Sequence, residues 1–533
     1  MPILFEKKKR ANPNLVVMLD WNRFHSDTSP TDAYYVRLCN TVLKIILRSE
    51  LKTDCGSAER TIRLACILTA YFEDVISETH IFHTFTQQHR ELYGRYLPFF
   101  DTTEDYDPDE LNLCDLHFLA WHALSLWQKE DDGIMVDPFF RGRNSPVAAL
   151  NEIYGLFDRE YERAPQNETM QDCLLHLPHR ADVGEIRKRL EFFSDKSYLN
   201  IIEYDGFTNR TLAEMEEVST DEDEDEDIND IIGRQSLYFY DSCMDYIFNH
   251  YASLLARRTV NELSALIGRE HPMYSLIEGI STRKFGCYRF VREKSEEMIF
   301  EHIPSGTEVN VSKEHLNIRD NHFTNRHSYV IMSIVKWGDA WQQTGMAIVS
   351  ASENKPGEDW PGASAFDDPE EKKRLIKKME TAFLKVNHGN HIAYLNSLEE
   401  LYDLYDHFID ATLPKVALMS KKNKHSLPDG LRKFAERVKG ILTLFFNPAC
   451  GIEMYGSVTT AIADPGNACF VAGETLPLED VLIDESYSKE FIHYLLDNGL
   501  VAFTAGESGT KTSVILDNLD FLFRYYRPEN YRT

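Results

Sequence analysis

The densest run of metal-competent side chains is His80-Ile-Phe-His83, and seven residues before it stands the adjacent pair Glu73-Asp74. On one continuous helix Glu73 and His80 share a face, and His83 lies a turn further on. A carboxylate and two imidazoles so placed are a ligand set for a transition metal, so Glu73, His80 and His83 are the metal-ligating candidates. Glu73 and Asp74 also sit inside the apolar Ala70-Tyr-Phe-Glu-Asp-Val-Ile76. Buried carboxyl groups titrate upwards, as an acid–base site requires, which makes Glu73 and Asp74 the catalytic candidates. Plainer readings stand beside both. His89 points elsewhere, so the histidines read as half-buried and hydrogen-bonded. The two acids can pair with Arg60, Arg63 or Arg90, or point outward. These plainer readings are preferred.

Other chemistry is thinner. Gly506-Glu-Ser-Gly-Thr-Lys-Thr512 resembles a phosphate loop, but Thr510 separates Gly509 from Lys511 and the spacing fails, so a hairpin turn is expected there. No Gly-x-Ser-x-Gly, His-Glu-x-x-His or Gly-x-Gly-x-x-Gly occurs in the chain. No cofactor is expected. His176/His179, His322/His327 and His388/His391 lack a supporting frame and read as surface residues. Trp337, Trp341 and Trp360 cluster late in a strand-rich region. Trp337 and Trp341 are the interaction candidates, with packing beneath the strands the preferred alternative.

The elements that must position these groups follow from periodicity. Apolar residues recur at three and four over residues 34–47, 58–81 and 112–129, each predicting an amphipathic helix. A further helix is predicted over 237–266. The period then shortens to two in 285–291, 298–303, 307–311, 329–335 and 341–349, with Ile303-Pro-Ser-Gly306 as a tight turn. Helices near 369–383, 398–409, 430–444, 486–498 and 518–526 follow, with strand-like segments at 451–456 and 500–504. The fold class expected is α+β, with a mainly helical N-terminal half, a small antiparallel β-barrel in the middle and an α+β C-terminal region. The divisions are 13–205, a helical domain; 206–235, an acidic disordered linker or loop; 236–282, a helical segment; 283–352, the barrel; and 370–533, the C-terminal domain. The linker rests on eleven acidic residues and no basic one between Glu214 and Asp230.

The chain has 533 residues and a net charge of −29, with 43% hydrophobic residues. Such a charge repels phosphate backbones and anionic membrane surfaces, so neither general nucleic-acid binding nor a membrane is expected. The nine cysteines include no C-x-x-C, which fits a reducing compartment. Residues 1–12 offer no secretory core and no stretch of about 18 apolar residues occurs, so a cytoplasmic location is expected.

Two sets of segments carry a likeness. The first is Tyr71-Phe-Glu-Asp-Val-Ile-Ser77 with Glu91-Leu-Tyr-Gly-Arg-Tyr-Leu-Pro-Phe99 and Asp109-Glu-Leu-Asn112. The second is Phe446-Asn-Pro-Ala-Cys-Gly-Ile-Glu453 with Ala461-Ile-Ala-Asp-Pro465 and Leu519-Asp-Phe-Leu-Phe-Arg524. Together they resemble a Bacteroidetes family of large cytoplasmic proteins known as a domain of unknown function, over nearly the whole chain. The resemblance implies a bacterial source and no activity, cofactor or catalytic residue. The leading expectation is a non-catalytic interaction or regulatory protein with a protein partner. The alternatives are a metal-assisted or acid–base hydrolase using Glu73, Asp74, His80 and His83, and an acidic charge-mimic acting on a nucleic-acid machine.

Overall fold

The computed structural model describes residues 14–131, 135–219, 228–314, 316, 329–350, 364–412 and 427–531. The chain divides into two compact units, Met1–Phe366 with Arg524–Thr533, and Asp367–Phe523.

The first unit opens with helices that bury one another's apolar stripes: α1 (Asp32–Leu47), α2 (Ala58–Ile76), α3 (Ile81–Tyr93), α4 (Leu113–Asp131) and α5 (Asn144–Glu160). Ser57 caps α2 by accepting the Arg60 amide. From Leu64 to Asp74 every residue of α2 is buried, so this helix runs through the core and not along its surface. Phe72 stacks on Phe157 of α5 with ring centroids 4.5 Å apart. Tyr525 returns to this unit, where its hydroxyl contacts Nδ1 of the buried His122 at 2.9 Å and donates to the His122 carbonyl at 3.0 Å.

Three expectations change here. The helix predicted over 58–81 ends at Ile76, and α3 starts anew at Ile81. The helix predicted over 237–266 is two, α7 (Ile228–Asn249) and α8 (Thr259–Ile267). The expected linker 206–235 is helical where described: residues 206–219 continue α6 (Ile201–Ser219), residues 228–235 open α7, and 220–227 lie outside the described residues.

The middle is a closed barrel of β1 (Lys284–Glu293), β2 (Glu297–His302), β3 (Thr307–Ser312), β4 (Tyr329–Trp337) and β5 (Ala340–Ser350), in the order β1-β2-β3-β5-β4 with β4 returning to β1. Alternation sends Tyr288, Met298, Phe300, Val309, Val311, Val330, Met332 and Ile334 inward. Gly306, at φ +70°, closes the β2–β3 hairpin by donating its amide to the His302 carbonyl. One pair, β3 with β5, is parallel, so the barrel is not wholly antiparallel as expected. Closure causes this: the last strand must run beside β3 to remove the open edge.

In the second unit, β6 (Ile392–Leu395), β7 (Leu442–Asn447) and β8 (Gly451–Tyr455) form an antiparallel sheet in that order. One face carries α9 (Pro369–Val386) and α10 (Leu398–Thr412), with Phe383, Leu401, Leu444 and Phe446 buried together. On the other face Phe491 stacks against Tyr455 at 4.0 Å. The helix expected over 430–444 covers only Asp429–Arg437, and its last residues belong to β7. The hairpin expected at 506–512 is instead the passage from a short strand, Phe503–Thr504, to a helix, Thr512–Leu516, with Ser508 held by Glu479.

Candidate metal centre

Asp74 decides where α2 stops. Its carboxylate accepts from the amides of Ile81 and Phe82 at 3.0 and 2.9 Å, from Thr79 Oγ1 at 2.5 Å and from Tyr198 Oη at 2.6 Å. The first two are orphan donors of α3, so a residue on α2 caps the next helix. Residues 77–80 between them turn sharply, with Glu78 at φ +50° and His80 at φ +60°. Left-handed backbone at two non-glycine residues costs of the order of 1–3 kcal/mol each, and such strain gathers at functional sites.

The turn separates the two halves of the expected cluster. Glu73 faces the core, where Oε2 lies 2.6 Å from His25 Nε2 and Oε1 accepts from Asn167 Nδ2 at 3.0 Å. His25 Nδ1 contacts the Trp21 carbonyl at 3.2 Å. Burial alone lowers its pKa, yet the Glu73 charge and hydrogen bond leave it raised. Arg60 pairs instead with Asp131, Arg63 with Asp205, and Arg90 with the Tyr96 hydroxyl.

His80 and His83 turn the other way, towards Asp109 on the 101–112 loop. His83 Nδ1 lies 2.7 Å from Asp109 Oδ1 but off the direction of a ring N–H bond, a close approach without hydrogen-bond geometry. His80 Nδ1 lies 3.5 Å from the same oxygen. The three donor atoms fall within 4.8 Å of one another. Ligands around a tetrahedral zinc stand about 3.3 Å apart for bonds of about 2.0–2.1 Å, so the set fits such an ion with small adjustments. The side chains keep 44%, 28% and 56% exposure for His80, His83 and Asp109.

The loop is anchored from beneath. Asp107 accepts the Asp109 amide at 3.0 Å, and Asn112 Nδ2 donates to the carbonyls of Asp107 and Glu110. Under it, buried Asp115 accepts from the Tyr71 and Tyr106 hydroxyls at 2.6 and 3.1 Å. Burial pushes the Asp115 carboxyl up to about 7. Above the loop lies a cavity of about 480 Å³ whose walls include Glu78, His80, His83, Asp109, Tyr161 and Glu162. Tyr71 and Asp74 also reach it, and Glu73 does not.

The remaining candidates stay apart. His89 is buried, held at Nδ1 by the Arg95 carbonyl at 2.7 Å, and burial lowers it to about 4. Trp341 packs on the barrel core, and Trp337 is half-buried at the end of β4. His322, His327 and Trp360 lie outside the described residues. Asp109, Asn167, Tyr198 and His25 escaped the sequence reading. Asp109 had only the turn-forming Asp107-Pro108 beside it as a signal.

A family model described as "Protein of unknown function (DUF3843)" matches residues 17–288. The chain belongs to that family. The DUF3843 match covers about half of the chain, less than the near-complete span the resemblance implied. It contains α2, α3, the 101–112 loop and the buried partners His25, Asn167 and Tyr198, and ends within β1. No curated protein and no solved structure matches the chain.

Proposed function

We propose that the DUF3843 region is a metal-dependent hydrolytic centre, with His80, His83 and Asp109 as ligands of a zinc-class ion. The observation that carries this reading is the convergence of two imidazoles and a carboxylate on the wall of a cavity large enough for a small molecule. Two histidines and one carboxylate leave a coordination position open, the pattern of zinc sites that activate water. Glu73 leaves the ligand set, since its carboxylate is spent on His25 and Asn167. Asp74 serves as a cap, because its four hydrogen bonds occupy both oxygens. A bacterial cytoplasmic setting suits nine cysteines that are all free.

The test is hydrolysis of 4-nitrophenyl esters and amino-acyl 4-nitroanilides by zinc-loaded full-length protein. Turnover that falls with chelator and with His83→Ala supports the reading. Turnover equal in the zinc-loaded, chelated and H83A proteins overturns it.

A role in protein interaction is a second reading, favoured by the exposed run Leu15, Val17, Met18 and Leu19, of which Leu19 is 76% exposed. Recovery of a stoichiometric partner that is lost on replacing Leu19 with Asp supports that role. No partner in a native pull-down counts against it.

A further inference from the structure

The walls of the cavity beside His80, His83 and Asp109 are one-sided in charge. Glu78 and Glu162 both line it, both are exposed, and neither has an ion-pair partner among the described residues. No lysine or arginine belongs to the described lining. Tyr161 adds an aromatic ring, half-buried in the same wall. The phenol of Tyr161 reports the local field: burial raises it, and the charges of Glu110, Glu162, Glu78 and Asp107 raise it further. A divalent ion on His80, His83 and Asp109 cancels only part of this field, since Asp109 offsets one of its two charges and Glu78 and Glu162 remain.

A phosphate ester or another anionic substrate is therefore repelled by the walls, with no basic side chain to receive it. A ligand carrying an ammonium or guanidinium group meets two carboxylates and an aromatic face, the elements of cation recognition. The volume of about 480 Å³ is that of a small-molecule site.

We propose that the cavity selects a small cationic ligand, whose ammonium or guanidinium group is held by Glu78 and Glu162 against Tyr161. This specificity rests on the metal reading, in that the reacting part of such a ligand would face His80, His83 and Asp109.

The experiment is calorimetric titration of zinc-loaded full-length protein with agmatine, spermidine and argininamide, alongside the uncharged N-butylurea and inorganic phosphate. At least one of the three cations is expected to bind, more weakly as salt rises. Neither N-butylurea nor phosphate should match it. In the Glu78→Gln/Glu162→Gln variant the affinity for that cation should drop at least about tenfold while zinc uptake stays as in wild type. Failure of all three cations to bind overturns the inference, as does equal binding of phosphate or N-butylurea, or an unchanged cation affinity in the variant. Each of these leaves zinc uptake intact, whereas absence of zinc uptake by the wild-type protein is the failure of the metal reading itself.

Discussion

Glu73 and Asp115 are two buried carboxyl groups that serve structure. Glu73 is matched by the His25 ring and the Asn167 amide, all three buried, so replacing its carboxylate leaves His25 without its partner. Glu73→Gln should destabilise the protein by about 3–5 kcal/mol in chemical denaturation without altering zinc uptake. A loss well under about 1 kcal/mol, or a loss of zinc uptake at unchanged stability, would contradict this assignment. Asp115 titrates higher in the folded chain, at about 7, than its ordinary value of 3.8. The folded state therefore holds a proton that the unfolded chain releases, and stability declines as pH rises across that interval. The contribution is complete below about 3.8 and lost once pH passes about 7. Asp115→Asn should flatten the stability profile between those limits, and an unchanged slope would refute it. His25 acts in the same direction: its folded pKa is raised, so its stabilisation is full below its ordinary value of 6.5 and fades as pH climbs through the raised one.

The element that matters most is the joint between α2 and α3. It was not legible in the sequence, because residues 77–80 contain neither glycine nor proline and the apolar period runs on through them. The break is imposed by tertiary structure: Asp74 finds two orphan amides of α3, and Tyr198, distant in sequence, fills its remaining lone pair. His80 and His83 could be read from their spacing. Asp109 could not, since a loop ligand obeys no helical period and is placed by Asp107, Asn112 and Asp115. The barrel was legible for the opposite reason. Its alternation, its Gly306 turn and its short strands are local signals, and only the parallel β3–β5 closure depends on the whole. Asp74→Ala should cost on the order of 3 kcal/mol by leaving buried donors unmet, and should weaken zinc binding as well, because His80 caps α3 and His83 rides on its first turn. Equal zinc affinity in Asp74→Ala and wild type would show that the joint does not position the ligands.

At the scale of the whole molecule, charge and surface narrow the possible partners. The net charge of −29 opposes polyanions, and four basic side chains along the outside of the barrel pair with acids: Arg289 with Glu301, Arg292 with Glu308, Lys313 with Glu293 and Lys294 with Glu297. Among the described residues no helix is long and apolar enough to cross a membrane. What remains chemically distinctive is the acidic, histidine-bearing cavity of the first unit. The most direct test of its role is zinc titration of chelator-stripped full-length protein, with metal content read by elemental analysis. One zinc per chain, a melting temperature raised by zinc and lowered by chelator, and loss of that zinc in His83→Ala and Asp109→Ala are expected. No bound metal, together with a melting temperature indifferent to zinc and chelator, would contradict the central claim.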